Sequence, residues 1–285
     1  MASPTQRVKV LHSESENLKR YLSGLPPEAW VRASACERWT VADVVAHLVS
    51  ALEMYTRNLT RGLAGDSSPP PGRPAPSTWS TASAADRILR AEDAAQRIIA
   101  YRESLGDRLL PVLHASIDGF NQLLDSLGVQ DWDKLCYHPR AEIPAQNLVT
   151  YAVLEVCLHQ WDIQSKLEAD AHLAAEGVRT LIEHLQEYLH WTFAIGSEVE
   201  QPRCYRFRLT GAVSDEKDLV IDGQQTRLAG SGDPSAVTAF KCDAENFLLL
   251  MCGRIKFSDA VAGGLLAPVD GGELPRELSR RSQAI

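Results

Sequence analysis

Glu155 and His159 lie four residues apart in the run LEVCLHQWDI, Leu154 to Ile163. On a helix of about 3.6 residues per turn that spacing stacks a carboxylate and an imidazole on one face, so both can bind the same object. Tyr151 and Asp162 fall close to that face. Val149, Val153, Val156, Ile163 and Leu167 flank it on one side and Leu154, Leu158 and Trp161 on the other, which turns the polar stripe away from open water. A buried carboxylate without a partner is costly, so a cation, an arginine or a metal ion must sit against Glu155. A second imidazole is available from His47. Together His47, Glu155 and His159 offer two neutral nitrogens and one anionic oxygen, a set that suits zinc or another divalent first-row ion and leaves a coordination position open. Such a site lowers the pKa of a bound water or thiol, or polarises a carbonyl oxygen. Spacing does not choose between these uses.

The elements that position these residues follow from periodicity. The central helix runs from about Ala145 to Leu167. His47 lies on an earlier helix in CERWTVADVVAHLVSALEMY, where Thr40 and Asp43 form a capping-box-like start and Val41, Val44, Val45, Leu48 and Leu52 form one apolar stripe. Residues 5 to 23 read as a helix ended by Gly24, Pro26 and Pro27. Ala84 to Glu103 and Arg108 to Leu127 read as two helices or one broken helix, with Gly106 and Pro111 at the join. Between them and the first pair, the stretch from Asp66 to Trp79 carries Pro69, Pro70, Pro71, Pro74 and Pro76, too dense in proline for helix or central strand. It reads either as a solvated linker or as a lid that places Trp79 over a pocket. A short irregular segment through Trp132, Tyr137 and Pro144 leads into the central helix. One more amphipathic helix is predicted from Ala174 to about Phe193, with His172, His184 and His190 as surface or rim residues and His114 as structural.

Near residue 200 the composition changes to alternating strands. CYRFRLTG, DLVIDG, TRLAG and AVTAFKC give four candidates, and Asp243 caps a short apolar helix, AENFLLLMC, closed by Gly253 with Arg254 just after it. The chain thus reads as mainly α, with residues 1–200 a helical bundle and 201–285 a small α+β domain.

The 285 residues carry 45% hydrophobic side chains, enough for two cores, and a net charge of −8 with no basic stripe, which argues against a general nucleic-acid binder. The amino terminus lacks the apolar run of a signal peptide, and no stretch approaches the roughly 18 apolar residues of a membrane span. A cytoplasmic protein acting on a small molecule is the expectation, its oligomeric state open. Six cysteines show no C-x-x-C spacing and read as reduced packing residues, Cys157 turned away from the ligand face. Dinucleotide, P-loop, zincin and serine-hydrolase signatures are missing.

RWTVADVVAHL with His47, and E-x-x-x-H-x-W-D-I with Glu155, His159, Trp161, Asp162 and Ile163, resemble the mycothiol-dependent maleylpyruvate isomerase family, whose amino-terminal half is a DinB-like metal-binding four-helix bundle. DAENFLLLMCGRI is similar to the family's carboxy-terminal domain. The resemblance implies a zinc site of His47, Glu155 and His159, a mycothiol-like thiol as cofactor or cosubstrate, and isomerisation or thiol transfer on a small electrophile. It also implies an assisting arginine, matched to Arg254. Asp162 and Tyr151 are the other residues placed to position substrate or stabilise an oxyanion, although for both a structural role is the blander reading. The Pro-rich loop and the segment from Trp79 to Leu127 exceed the family's compact pattern, which bears on the substrate more than on the metal. Two alternatives keep the fold: a thiol-independent isomerase or cyclase of a specialised pathway, and a non-catalytic small-molecule binding protein.

Overall fold

A computed structural model describes residues 1–73, 75–76, 84–193, 199–223, 225–229, 236–269, 271 and 273–279. Of the expected lid, Pro74, Ser77, Thr78 and Trp79 lie outside the described residues. The chain is mainly α and divides into two compact units, Ala2–His172 and Leu173–Ile285, the latter joined by Met1. The division therefore falls earlier than residue 200. The reason is that the two helices following His172 pack on elements of the second unit.

The first unit holds α1 (Pro4–Ser23), α2 (Val41–Leu63), α3 (Ala84–Leu105), α4 (Leu109–Asp125), the hairpin strands β1 (Leu135–His138) and β2 (Ala141–Pro144), and α5 (Ala145–Leu167). A 3-10 turn, Gly106–Arg108, breaks α3 from α4 where Gly106 adopts φ 51°. α2 packs against α3, α4, α5 and β1, and α1 against α4 and α5. The expected stripe of α2 is buried throughout: Val41, Val44, Val45 and Leu48 are fully inaccessible and Leu52 nearly so. Leu11 and Leu18 of α1, Leu113, Ile117 and Phe120 of α4, and Leu148, Val149 and Val153 of α5 complete this core. Arg7 is buried with them and ties α1 to α5, donating to Thr150 Oγ1 at 2.6 Å and Gln146 Oε1 at 2.9 Å.

The predicted start of α2 is a capping box. Thr40 Oγ1 accepts from the Asp43 amide at 3.3 Å, and Asp43 Oδ2 accepts from the Thr40 amide at 3.0 Å. Asp43 also accepts from Arg102 Nε of α3 at 3.0 Å. Burial acts to push its carboxyl up, but the bonds from Thr40 and Arg102 outweigh that and hold it below the usual carboxylate value.

The segment expected to be irregular contains the β1–β2 hairpin, paired from Leu135↔Pro144 to His138↔Ala141. Strands of four residues are too short for period-two reading, and what places them is tertiary: β1 lies on α2 where Gly62 has no side chain. A Cβ at Gly62 would meet the Cys136 sulfur and the Leu135 carbonyl oxygen, the latter at 2.6 Å.

In the second unit the single helix expected from Ala174 to Phe193 is two, α6 (Ala175–Glu183) and α7 (Leu185–Thr192), broken at His184. His184 is buried, its Nδ1 2.7 Å from Glu187 Oε1, which corrects its reading as a rim residue. The sheet runs β5-β4-β3-β6-β7, with β3 (Val199–Thr210), β4 (Asp215–Gly223), β5 (Gln225–Ala229), β6 (Ala236–Asp243) and β7 (Leu266–Pro268). β3 pairs antiparallel with β4 and parallel with β6. The apolar helix α8 (Ala244–Met251) packs on β3 and β6 and is capped by Asp243, whose Oδ1 accepts from the Glu245 amide at 2.9 Å. Two short helices, α9 (Phe257–Ala262) and α10 (Arg276–Ser279), follow. Among the described residues, no helix is long and apolar enough to cross a membrane.

Candidate metal centre

Glu155 is the hub of a cluster contributed by α2 and α5. Its Oε2 lies 3.0 Å from His47 Nε2 and 3.1 Å from His159 Nε2, and the two imidazole rings meet edge-on with centroids 4.6 Å apart. Oε1 accepts from the Tyr55 hydroxyl at 3.2 Å. His159, four residues on along α5, shares the face that the spacing predicts. His47 comes from α2, and Tyr55, two turns further along that helix, stands above it on the same face. The sequence reading missed Tyr55, although its i+8 spacing from His47 was visible.

The second nitrogen of His159 is held as firmly as the first. Its Nδ1 lies 2.8 Å from Asp162 Oδ2, and Asp162 is only 1% exposed. The carboxylate at Nδ1 fixes the ring so that Nε2 faces Glu155. Asp162 also accepts from the Cys36 thiol at 3.3 Å, and its backbone carbonyl accepts from the Ala35 amide at 2.8 Å. These contacts pin the loop before α2 to the end of α5. Cys36 is half-buried, unlike the other five cysteines, so its reading as a plain packing residue omitted a contact with the site. Burial pushes the Cys157 thiol far up, as suits an inert core residue. Trp39, from the same loop as Cys36, places its ring 5.0 Å from that of His47.

The electrostatics favour an anionic Glu155. Burial acts to raise its carboxyl, yet the hydrogen bonds from His159 and His47 prevail and hold it well below the usual range. For His159 burial acts to lower the imidazole, and the bonds to Asp162, Cys36 and Glu155 carry it well above its usual value. The Tyr55 phenol is pushed well up by burial and then by the Glu155 charge beside it. Two imidazole nitrogens converging on one carboxylate oxygen surround the place where a cation would serve the same charge. The donor atoms of His47, Glu155 and His159 all lie within 4.8 Å of one another, a span that one ion bonded at about 2.0–2.2 Å to nitrogen and oxygen can bridge. The donor set therefore fits a divalent first-row metal. Cys36, His159 and Asp162 form a second such group, sharing His159 with the first.

Tyr151 is buried one turn before Glu155, its ring 5.0 Å from that of His138 on β1. His138 in turn stacks near Tyr55 at 6.3 Å. The sequence reading passed over His138, which only the hairpin's tertiary placement brings to the site. Arg254 belongs to the second unit, just after α8, where its Nη1 donates to the Cys252 carbonyl at 3.1 Å.

Comparison with known proteins bears on this geometry. Residues 11–164 match the family model described as the mycothiol maleylpyruvate isomerase N-terminal domain. The fold is similar to the crystal structure of the mycothiol-dependent maleylpyruvate isomerase, with a TM-score of 0.62 at 16% identity over 97% of this chain and 96% of that one. A histidine-to-alanine mutant of the mycothiol-dependent maleylpyruvate isomerase gives the same TM-score of 0.62 at 15% identity and the same coverage. No curated protein sequence matches the chain.

Proposed function

We propose that this chain, which belongs to the mycothiol-dependent maleylpyruvate isomerase family, is a metal-dependent enzyme that uses a low-molecular-weight thiol of the mycothiol type to isomerise, or transfer the thiol to, a small electrophile. The observation that carries this reading is the convergence of His47 Nε2, Glu155 Oε2 and His159 Nε2 within 4.8 Å on the inner faces of two helices. The packing of α1, α2, α4 and α5 around them supports a DinB-like four-helix bundle as the scaffold.

Zinc held by these three residues would supply the positive charge that keeps a thiol ionised at neutral pH. The chain's own groups supply the rest. Glu155 and the two imidazoles would hold the ion with a net charge of about +1, which would favour an anionic sulfur nearby over a neutral one. Asp162 is a positioning residue: it holds the His159 tautomer and, through Cys36 and Ala35, the loop that carries Trp39 over His47. Tyr55 fixes the remaining oxygen of Glu155 and so sets the direction of the carboxylate. Tyr151 walls the same side, and the resemblance matches Arg254 of the second unit to the family's assisting arginine. With the thiolate adding to an electrophilic carbon, negative charge appears on the conjugated oxygen and is lost when the thiol leaves.

Cobalt substitution tests the thiol. Cobalt-loaded protein mixed with mycothiol or a simpler thiol is expected to show an intense sulfur-to-metal charge-transfer band, absent without thiol. A spectrum that ignores every thiol favours the thiol-independent isomerase. No turnover over a broad electrophile panel, combined with a strong rise in melting temperature from one ligand, favours the binding protein.

A further inference from the structure

His159 presents a ligating nitrogen on each side of its ring. Nε2 faces Glu155, whereas Nδ1 faces a different pair of donors, the Asp162 carboxylate three residues on along α5 and the Cys36 thiol from the loop before α2. Nδ1 lies 2.8 Å from Asp162 Oδ2, that oxygen 3.3 Å from Cys36 Sγ, and the sulfur 3.9 Å from Nδ1. An ion bonded at about 2.0–2.1 Å to nitrogen and oxygen and about 2.3 Å to sulfur, at tetrahedral angles, spaces such donors roughly 3.3–3.6 Å apart. Each observed separation is within about 0.5 Å of that requirement.

The donors are held in place without an ion. The Cys36 amide donates to Ser34 Oγ at 3.2 Å, Ser34 Oγ donates to the Trp39 carbonyl at 2.8 Å, and the Ala35 amide donates to the Asp162 carbonyl at 2.8 Å. The loop thus closes on itself and on α5 with the sulfur beside the carboxylate. Asp162 and His159 are buried and Cys36 is half-buried, so the way in for an ion lies on the cysteine side. On binding, the Cys36 thiol proton and the Nδ1 proton leave to solvent, and thiolate, carboxylate and imidazolate surround the dication with compensating charge. A thiolate selects zinc or a softer ion such as cadmium over magnesium or calcium.

We propose that Cys36, His159 Nδ1 and Asp162 form a second metal position, for a soft divalent ion, back to back with the His47–Glu155–His159 group across one imidazole. With both positions filled the ring is a bridge, and each ion loosens the other because they share one imidazolate and repel across it. The second position therefore fills at higher metal concentration than the first. It goes beyond the thiol chemistry proposed above and requires neither substrate nor thiol.

The test is cadmium titration of protein loaded with one equivalent of zinc, as parent and as Cys36→Ser, with no thiol present. Serine keeps a hydroxyl to donate to Asp162, so the loop contact survives the change. The other five cysteines are buried, so a thiolate-to-cadmium ultraviolet band reports Cys36. The parent is expected to take up a further equivalent of cadmium, retain its zinc and develop that band. Cys36→Ser should bind the added cadmium at least tenfold more weakly, show no band, and hold its first zinc within twofold of the parent. No band in the parent in tenfold excess of cadmium overturns the proposal, as does the same band in Cys36→Ser. So does cadmium uptake that matches zinc loss, which is exchange at the first position. A parent that takes up no zinc overturns the first position instead, and in that protein a cadmium band lost in Cys36→Ser still supports the second.

Discussion

Glu155 is fixed by two histidines and a tyrosine, and one of those histidines is fixed by a further carboxylate. Of these groups the spacing of the sequence exposed Glu155, His159 and Asp162, because they share one helix and one period. His47 was legible only as a polar residue beside an apolar stripe, which acquires meaning once another helix supplies a carboxylate. Cys36 and His138 left no periodic signal, since they come from a loop and a short hairpin whose placement is tertiary. The role of Asp162 predicts that Asp162→Asn, nearly isosteric, weakens zinc binding about 10–100-fold, the usual cost of losing a hydrogen-bond partner behind a metal-bound histidine. Competition against a chelator of known affinity measures this, and an unchanged affinity would return Asp162 to a purely structural role.

Elements explain why the cluster holds its shape. α2 begins where Thr40 and Asp43 cap each other and where Asp43 meets Arg102 of α3. Replacing Asp43 by Asn should cost about 1–2 kcal/mol at neutral pH through lost capping and a lost charged hydrogen bond. Because the folded carboxyl sits below its unfolded value, this stabilisation is fully present above the unfolded pKa of about 3.9 and is lost as pH falls through the folded one. Denaturation curves of parent and variant should therefore differ at pH 7 and draw together as pH falls below the unfolded value and through the folded one; an unchanged gap in acid would show that the charge is irrelevant. Gly62 offers a second check, on the hairpin. Alanine gains helix propensity of about 1 kcal/mol but forces β1 off α2, where overpacking costs about 1–3 kcal/mol. Gly62→Ala should lower the melting temperature, and a rise would mean the hairpin yields freely. The capping residues announced α2 in the sequence; Gly62 did not announce β1, because a helical glycine looks the same whether or not a strand lies against it.

At the scale of the whole molecule, a helical unit that holds the candidate ligands precedes an α+β unit that holds Arg254. The sequence showed the mainly α character and four of the five larger-sheet strands, since those alternate or run apolar; β7, three residues long, and the parallel pairing of β3 with β6 had no local signature. The split of one expected helix at His184 was equally invisible, because the apolar period continues across the break. If Arg254 serves the reaction and not the metal, Arg254→Ala should retain the parent's zinc content while losing thiol-dependent turnover tenfold or more; full turnover would remove it from the mechanism. All of this depends on an ion at His47, Glu155 and His159. Elemental analysis of protein purified without added metal decides the matter most directly: about one equivalent of zinc or another divalent first-row metal in the parent and little in a folded His159→Ala variant is the expected result, and equal metal content in the two would contradict it.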